Sequence, residues 1–292
     1  MVDLSGLKAR VDAYQRERPW LAFPVAVLLK FGEDNSGNLA VIITYYAFFS
    51  VFPLLLALSS VLGFVLAGHP GWQSSIEQSA LKNLPLIKGS PLPHHGSVYV
   101  AVLGFVLALY SGLAVAKAAQ QAWDTVYGVA RDERLGFLAK NLRALQLVVF
   151  GGLGLVATTA VAGAVTSGSA VGISVGWGLT ILGVAVSALL NTALMVLVFR
   201  WLPTPKHGAR EVLPGAAIVA LSLAILQAVA SALISHKLQH ASATYGSFGT
   251  VIVLLSWFYL QAQIMLVGAQ VNVVKRDHSW PRSLSGEVAP AG

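Results

Sequence analysis

The chain has 292 residues, of which 56% are hydrophobic and 11% charged, and its formal net charge is +7. Soluble domains carry about a quarter charged residues, so this composition excludes an ordinary soluble globular protein and indicates that lipid forms part of the solvent. The absence of cysteine excludes disulfide bonds, cysteine-ligated clusters and thiol catalysis. The positive charge fits the lysine and arginine excess of cytoplasmic loops in membrane proteins, so we expect no nucleic-acid partner.

The first 38 residues precede any run long enough to span a bilayer. Charges are scattered over Asp3–Arg18, Pro19 is typical of a helix start, and the apolar run Trp20–Leu29 is about half the length of a span. Trp20 and Phe23 favour the headgroup region. We therefore predict an interfacial amphipathic helix on the inner leaflet in segment 1–38, with plain disorder as the alternative.

Six later runs contain no Asp, Glu, Lys or Arg, and each is about as long as a bilayer crossing requires. They are Leu39–Ala67, Val98–Ala116, Leu145–Val165, Val175–Phe199, Val212–Ile234 and Phe248–Val274. The sequence therefore predicts an all-α integral membrane protein. Its six transmembrane helices form one domain, 39–274, which follows the interfacial helix and precedes a cytoplasmic tail, 275–292.

Lysine and arginine fall mostly on one side of these spans. The N-terminal segment, the loops after the second and fourth spans and the tail hold 16 of the 19, whereas the other side holds Lys82, Lys88 and Lys237. By the positive-inside rule, both termini are predicted to be cytoplasmic. The basic loops then lie near the inner leaflet, where anionic lipid is the expected partner.

The spans contain neutral polar side chains but no acid at mid-depth, which disfavours proton-coupled transport. In the first span, hydroxyl groups and the carbonyl freed by a proline share one helical face and are suited to line a cavity. Together with amides of later spans they make a candidate polar path for a small polar or lipid-like solute: Tyr46, Ser50, Pro53, Asn191, Gln227, Gln261 and Gln270. Taken singly, each side chain is also explained as hydrogen-bonding glue between helices.

Other kinds of site find little support. The sequence has no nucleophile elbow and no phosphate-binding loop, so we expect no catalytic residue, no cofactor and no metal. His236 and His240 have the spacing of one helix face, but no acid lies near them, and loop or interface histidines are the simpler interpretation. Gly168, Gly172 and Gly176 favour close helix packing or a homo-oligomer.

Several passages together resemble the YihY/BrkB family of bacterial inner-membrane proteins, over roughly residues 35–275. They are Thr44–Pro53 (TYYAFFSVFP), Trp123–Gly128 with the basic run to Arg143, Arg200–Pro203 (RWLP), Tyr245–Ser247, Trp257 and Gly268–Gln270. The resemblance implies six spanning helices in the bacterial inner membrane. It also implies links to virulence, serum resistance and solute or lipid-related transport, and the family once carried a ribonuclease label.

One position departs from the family pattern. Relatives commonly have glutamate where this chain has Gln270, so any proton- or ion-linked role of that acid is absent here. The ribonuclease label also lacks a basis in the residues, because a nuclease needs an acidic metal cluster or an acid–base pair, and Asp132, Glu133 and Glu211 are scattered.

Two functions from different classes follow. The first is a transporter or permease-like protein for a polar or amphiphilic solute. The alternative is a non-transporting scaffold or envelope-integrity factor that acts through partners or lipids. A membrane-tethered hydrolase would require a metal or nucleophile at His236 or His240.

Overall fold

The computed structural model describes residues 14, 18–66, 98–170, 177–204 and 207–282, without the side chains at 19, 58, 59, 61–66, 98, 155–170, 177–184 and 231–247. Its helices are α1 (Pro19–Glu33), α2 (Ser36–Leu66), α3 (Val98–Val126), α4 (Phe137–Ala170), α5 (Trp177–Trp201) and α6 (Ala209–Arg276). The predicted all-α class is confirmed. The predicted amphipathic stretch before residue 14, the outer loop 68–97 and the glycine run around 172 fall outside the described residues.

Helix α1 begins at Pro19, as predicted, and buries one face of the helix. Ala22, Ala26 and Val27 are buried, the last two against Val271 and Val274 of α6. Trp20 and Leu28 are exposed on the other side of α1. The buried face of α1 is therefore covered by the end of the last helix, its other face carries exposed apolar side chains, and the interfacial position of the helix stays a prediction.

Four segments of the described helices are long and apolar enough to cross a membrane. They are Ser36–Ala57, Tyr99–Val126, Ala209–Ala230 and Phe248–Arg276, and Ala185–Trp201 is a shorter apolar helix. These segments match the first, second, fifth and sixth predicted spans and part of the fourth. The third predicted span lies within α4, where the side chains from 155 onward are outside the description, so the count of six stays a prediction.

Helix α6 differs from the two separate helices that the sequence predicts. The helical backbone continues through residues 235–247, where no proline interrupts it. The two ends nevertheless lie side by side, because the Gly215 N–H donates to Asn272 Oδ1 at 2.7 Å. Straight helices of this length would place these residues about 85 Å apart. The chain therefore reverses within α6 and forms two antiparallel arms.

Among the described residues, the large side chains that are fully buried lie at one end of the bundle, which we call the basic end. Here α2 and the first arm of α6 begin, and α3, α5 and the second arm of α6 end. Trp123, Phe199 and Leu266 are fully buried there, with the Trp123 and Phe199 rings 5.7 Å apart. The loops that the sequence assigns to one membrane side thus meet at one end of the fold.

Candidate functional site

Helix α3 runs ten residues beyond the predicted end of its span and stops at Gly128. Gly128 has φ +71, its N–H donates to Thr125 O, and the Val129 N–H donates to Asp124 O. This pair of bonds is a Schellman motif, in which glycine takes the left-handed conformation without a steric penalty. Lys117 and Asp124 are both compatible with a helix. The first charged residue, Lys117, therefore marks the end of the apolar run and not the end of α3.

Asp124 joins α3 to the loop between α5 and α6. The carboxylate is 4% exposed, and its oxygens accept from the Thr204 N–H at 2.7 Å and the Thr204 hydroxyl at 2.9 Å. On the other side of that loop, Arg143 Nη1 donates to the carbonyls of Pro203 at 2.8 Å and Thr204 at 3.3 Å. Three elements are therefore tied at one point by charge-assisted hydrogen bonds.

A cavity of about 360 Å³ opens between the end of α3 and the start of α4. It is lined by Gln120, Gln121, Asp124, Arg131, Arg134, Leu135 and Lys140. Gln120 is 1% exposed, and neither its Oε1 nor its Nε2 has a hydrogen-bond partner. A buried polar group without a partner costs about 1–3 kcal/mol, so this glutamine marks a place where a polar ligand or water is favoured.

Two stacked rings and a guanidinium lie together at the basic end. The Tyr127 and His207 rings lie 4.4 Å apart, and the Arg276 guanidinium lies 5.6 Å from the centre of the Tyr127 ring. Burial lowers the pKa of His207, Arg276 lowers it further, and Glu211 opposes both effects. Burial also raises the pKa of Tyr127 to about 12. Both rings are therefore neutral at physiological pH.

Gln270 lies in a polar network at the basic end and bridges the two ends of the chain. Its Nε2 donates to Asp34 Oδ2 at 2.8 Å and to Ser36 Oγ at 3.0 Å, and the residue is fully buried. Asp34 also accepts from Lys30 Nζ at 2.8 Å. Asn35, with φ 50, lets α2 start directly after α1. Gln270 thus fixes the α1–α2 corner against α6.

Three contacts set the relative depth of the spans. Ser36 meets Gln270, Gly215 meets Asn272, and a Cβ on Gly268 would lie 3.2 Å from the Phe199 ring. Each contact lies at the basic end. Residues counted outward from them along α2, α5 and the two arms of α6 therefore have comparable depths.

By this measure four predicted path residues share one level. Tyr46 is ten residues beyond Ser36, and Asn191 is eight residues before Phe199 in the chain. At 1.5 Å per residue these separations are about 15 Å and 12 Å.

On the two arms of α6, Gln227 lies about 18 Å beyond Gly215, and Gln261 about 16 Å from Asn272. Tyr46, Asn191 and Gln227 are exposed, and Gln261 is half-buried. We call Tyr46, Asn191, Gln227 and Gln261 the polar layer. Its distance from these contacts, about 12–18 Å by helix rise, is about half the thickness of a hydrocarbon core of about 30 Å.

The other predicted path residues lie elsewhere. Ser50 is one helical turn outward of Tyr46 and donates its hydroxyl to Ala47 O at 2.7 Å, and Pro53 lies inside α2 one turn further on. Gln270 belongs to the network at the basic end. The side chains of His236 and His240 lie outside the description, and within it no group of three or more His, Asp or Glu residues could hold a metal.

The sequence did not single out Gln120, Thr204 or Arg143 as site residues. Gln120 and Gln121 sit directly before the Trp123–Gly128 passage, and this polar pair at the end of an apolar run is the one local signal. Thr204 carried no such signal, because its partner lies 80 residues away.

Comparison with known proteins relates the whole architecture to a family. The model of the family described as virulence factor BrkB matches residues 27–289. The chain belongs to the BrkB family. This match covers every described helix except the start of α1, and with the four apolar segments it makes this BrkB-family chain a membrane protein.

Two curated relatives of this BrkB-family protein are similar over most of their length. The ribonuclease-like protein YfkH of Bacillus subtilis is 27% identical over 83% of this chain and 90% of its own. The inner membrane protein YhjD of Escherichia coli is 22% identical over 98% of this chain and 90% of its own. No solved structure matches. The relatives agree with a bacterial inner-membrane location.

Proposed function

We propose that this protein is a permease-like transporter that moves a polar or amphiphilic solute across the inner membrane, with both termini in the cytoplasm. The observation that carries this proposal is the polar layer. Four polar side chains from α2, α5 and both arms of α6 occupy one depth in spans that carry no Asp, Glu, Lys or Arg beside them.

The free-energy cost of polar groups in hydrocarbon is the reason why this layer indicates a function. An amide or hydroxyl facing hydrocarbon without a partner costs several kcal/mol. Asn191 and Gln227 are exposed and have no hydrogen bond among the described contacts. Water or the polar part of a solute supplies hydrogen-bond partners for these side chains. In return the side chains bind the polar part of the solute, which lowers the free-energy cost of its passage through the layer.

Amide side chains can also hold helices together through hydrogen bonds. In the described part of the chain, other residues have this role. The interhelical side-chain bonds of the buried amides involve Gln270 with Ser36 and Asn272 with Gly215. Both lie at the basic end, below the polar layer. The layer is thus separate from these two hydrogen bonds between helical segments.

Helix α2 supplies the means to change the width of a path. Pro53 removes one backbone hydrogen bond and frees the Phe49 carbonyl. Ser50 bonds within its own helix turn, next to this break. We assign α2 as the helix that bends during transport, with Tyr46 and Ser50 on its moving face.

We propose no enzymatic activity for this chain, although YfkH carries a ribonuclease-like name. A hydrolase needs a positioned acid–base pair, a nucleophile or a metal. The acids that are not exposed at the basic end are already engaged, since Asp124 bonds Thr204 and Asp34 bonds Lys30 and Gln270, whereas Asp132 and Glu133 are exposed on the loop.

The test is a thermal-stability screen of the purified protein in detergent against osmolytes, amino acids, nucleotides and lipid precursors, followed by flux of the selected solute in proteoliposomes. A ligand at 100 times its dissociation constant stabilises the fold by about 2.7 kcal/mol. We expect one solute class to give a saturable shift. Gln261→Leu and Asn191→Leu should abolish that shift and the flux.

Thr192→Val is the matched control, since Thr192 lies beside Asn191 but bonds Ala188 O within its own helix. It should keep both binding and flux. The transporter proposal fails if no solute gives a selective shift, or if the layer variants bind and move the solute as the wild type does. A stable complex with a partner and no flux would favour the scaffold.

A further inference from the structure

We propose that the cavity between α3 and α4 is a binding site for a phosphate group, carried by a soluble phosphate ester or by a lipid headgroup. The site lies at the basic end and is separate from the polar layer, so the inference does not rest on transport. Its volume of about 360 Å³ falls within the range of small-ligand pockets.

Charge selects an anion. The lining contains the cations Arg131, Arg134 and Lys140 and one carboxylate, Asp124, for a net charge of +2. Among the described residues none of these three cations forms an ion pair. Both oxygens of Asp124 accept hydrogen bonds from Thr204, so its charge is already compensated in part.

Arg134 is held in place before any ligand arrives. Its Nε donates to Val129 O and its Nη2 to the Thr125 hydroxyl, both at 3.3 Å. A guanidinium has five N–H donors, so three remain for an oxyanion. The Schellman turn at Gly128 sets the loop that carries Arg131 and Arg134 over the cavity.

Two further donors point to the same ligand. The Gln120 amide is buried and without a partner although it lines the cavity. Helix α4 starts at Phe137, between the lining residues Leu135 and Lys140, and has no acid in its first turn. The N-terminal end of α4 therefore favours an anion next to these two lining residues, through its helix dipole. A site that offers cations, a neutral amide donor and a helix N-terminus matches a phosphate ligand better than it matches a carboxylate ligand.

The experiment measures the apparent melting temperature of the full-length protein in a non-ionic detergent. Inorganic phosphate and glycerol 3-phosphate are titrated at an ionic strength matched with sodium chloride. A second arm compares nanodiscs of phosphatidylcholine with and without added phosphatidylglycerol. The variants are Lys140→Gln, Arg134→Gln and Gln120→Leu.

Arg210→Gln is the matched control, since it removes one positive charge from an exposed residue at the same end that does not line the cavity. Lys140 makes no described hydrogen bond, so its variant keeps the proposal testable even if Arg134→Gln fails to fold. We expect a saturable shift that Lys140→Gln weakens about tenfold in apparent affinity, as the loss of one charge-assisted hydrogen bond predicts.

A shift with the soluble phosphates identifies a free phosphate ester as the ligand. A Lys140-dependent shift only in the phosphatidylglycerol nanodiscs identifies a lipid headgroup. The proposal is overturned if phosphate acts no more strongly than chloride and the nanodiscs do not differ. Equal weakening by Lys140→Gln and Arg210→Gln also overturns it, because that result describes general charge attraction without a site.

Discussion

Asp124 is bound on both of its carboxylate oxygens by one residue, Thr204, and this makes it a structural anchor of the basic end. Asp124→Ala should lower the stability of the fold by about 2–3 kcal/mol, because it leaves the Thr204 N–H without a partner. The measurement is chemical or thermal unfolding in detergent. Asp132→Ala, at an exposed position, should stay within about 0.5 kcal/mol of the wild type. Equal effects of the two variants would remove the anchor role.

His207 makes the stability of the basic end depend on pH. Its pKa lies below the ordinary 6.5, so the unfolded chain binds the proton more readily than the fold does. Stability is therefore fully present above about pH 6.5 and declines as the pH falls from there toward the folded-state pKa.

The groups facing His207 are Tyr127, Glu211, Arg276 and Asp277. The melting temperature of the wild type should fall as the pH is lowered from 8 to 5. His207→Gln should make the melting temperature depend less on pH over this range. If His207→Gln loses stability with acid as steeply as the wild type does, another group is responsible.

At the scale of elements, the two arms of α6 approach so closely that only glycine fits. A Cβ on Gly215 would collide with the Gly268 carbonyl and the Asn272 amide. Gly215→Ala should therefore destabilise the protein by about 1–3 kcal/mol through overpacking. Gly152→Ala is the control, since nothing lies within 4 Å of its added Cβ. That variant should be neutral or gain about 0.4–1 kcal/mol, and a comparison of melting temperatures decides.

The elements themselves were largely predictable, because spanning runs can be recognised by their length and by their lack of charged residues. Pro19 marked the start of α1 for a local steric reason. The end of α3 was not predictable from hydropathy, since helix formation continues past Lys117 until Gly128 permits the left-handed turn. The reversal within α6 was predicted as the turn between the fifth and sixth spans, whereas the continuation of helical backbone through residues 235–247 was not.

The candidate sites were less predictable for the same reason. Tyr46, Asn191, Gln227 and Gln261 were recognisable as polar residues in apolar runs, but their common depth follows only from the contacts of Ser36, Phe199 and Gly215 across helices. Gln270 was placed in the path by its residue type. In the fold its partners are Asp34 and Ser36, and these lie more than 230 residues away.

At the scale of the molecule, the convergence of basic loops on one end makes the orientation testable. The chain has no cysteine, so single cysteines can be introduced into the unaltered background. Arg210→Cys should resist an impermeant maleimide in spheroplasts and react in inverted vesicles, since the basic end is predicted to be cytoplasmic. Lys82→Cys, in the predicted outer loop, should show the opposite pattern. The reversed result for both would invert the assigned orientation.

The bond between Ser36 and Gln270 has a consequence for biosynthesis. At about 5–20 residues per second, a ribosome needs roughly 10–50 s to make the 234 residues that separate the two side chains. Throughout that interval α1 and α2 are in place without their partner. Lys30, one turn before Asp34, is made at the same time as Asp34 and neutralises it while the pair waits. A nascent chain that stops short of residue 270 therefore leaves Asp34 and Ser36 without the last helix that joins them.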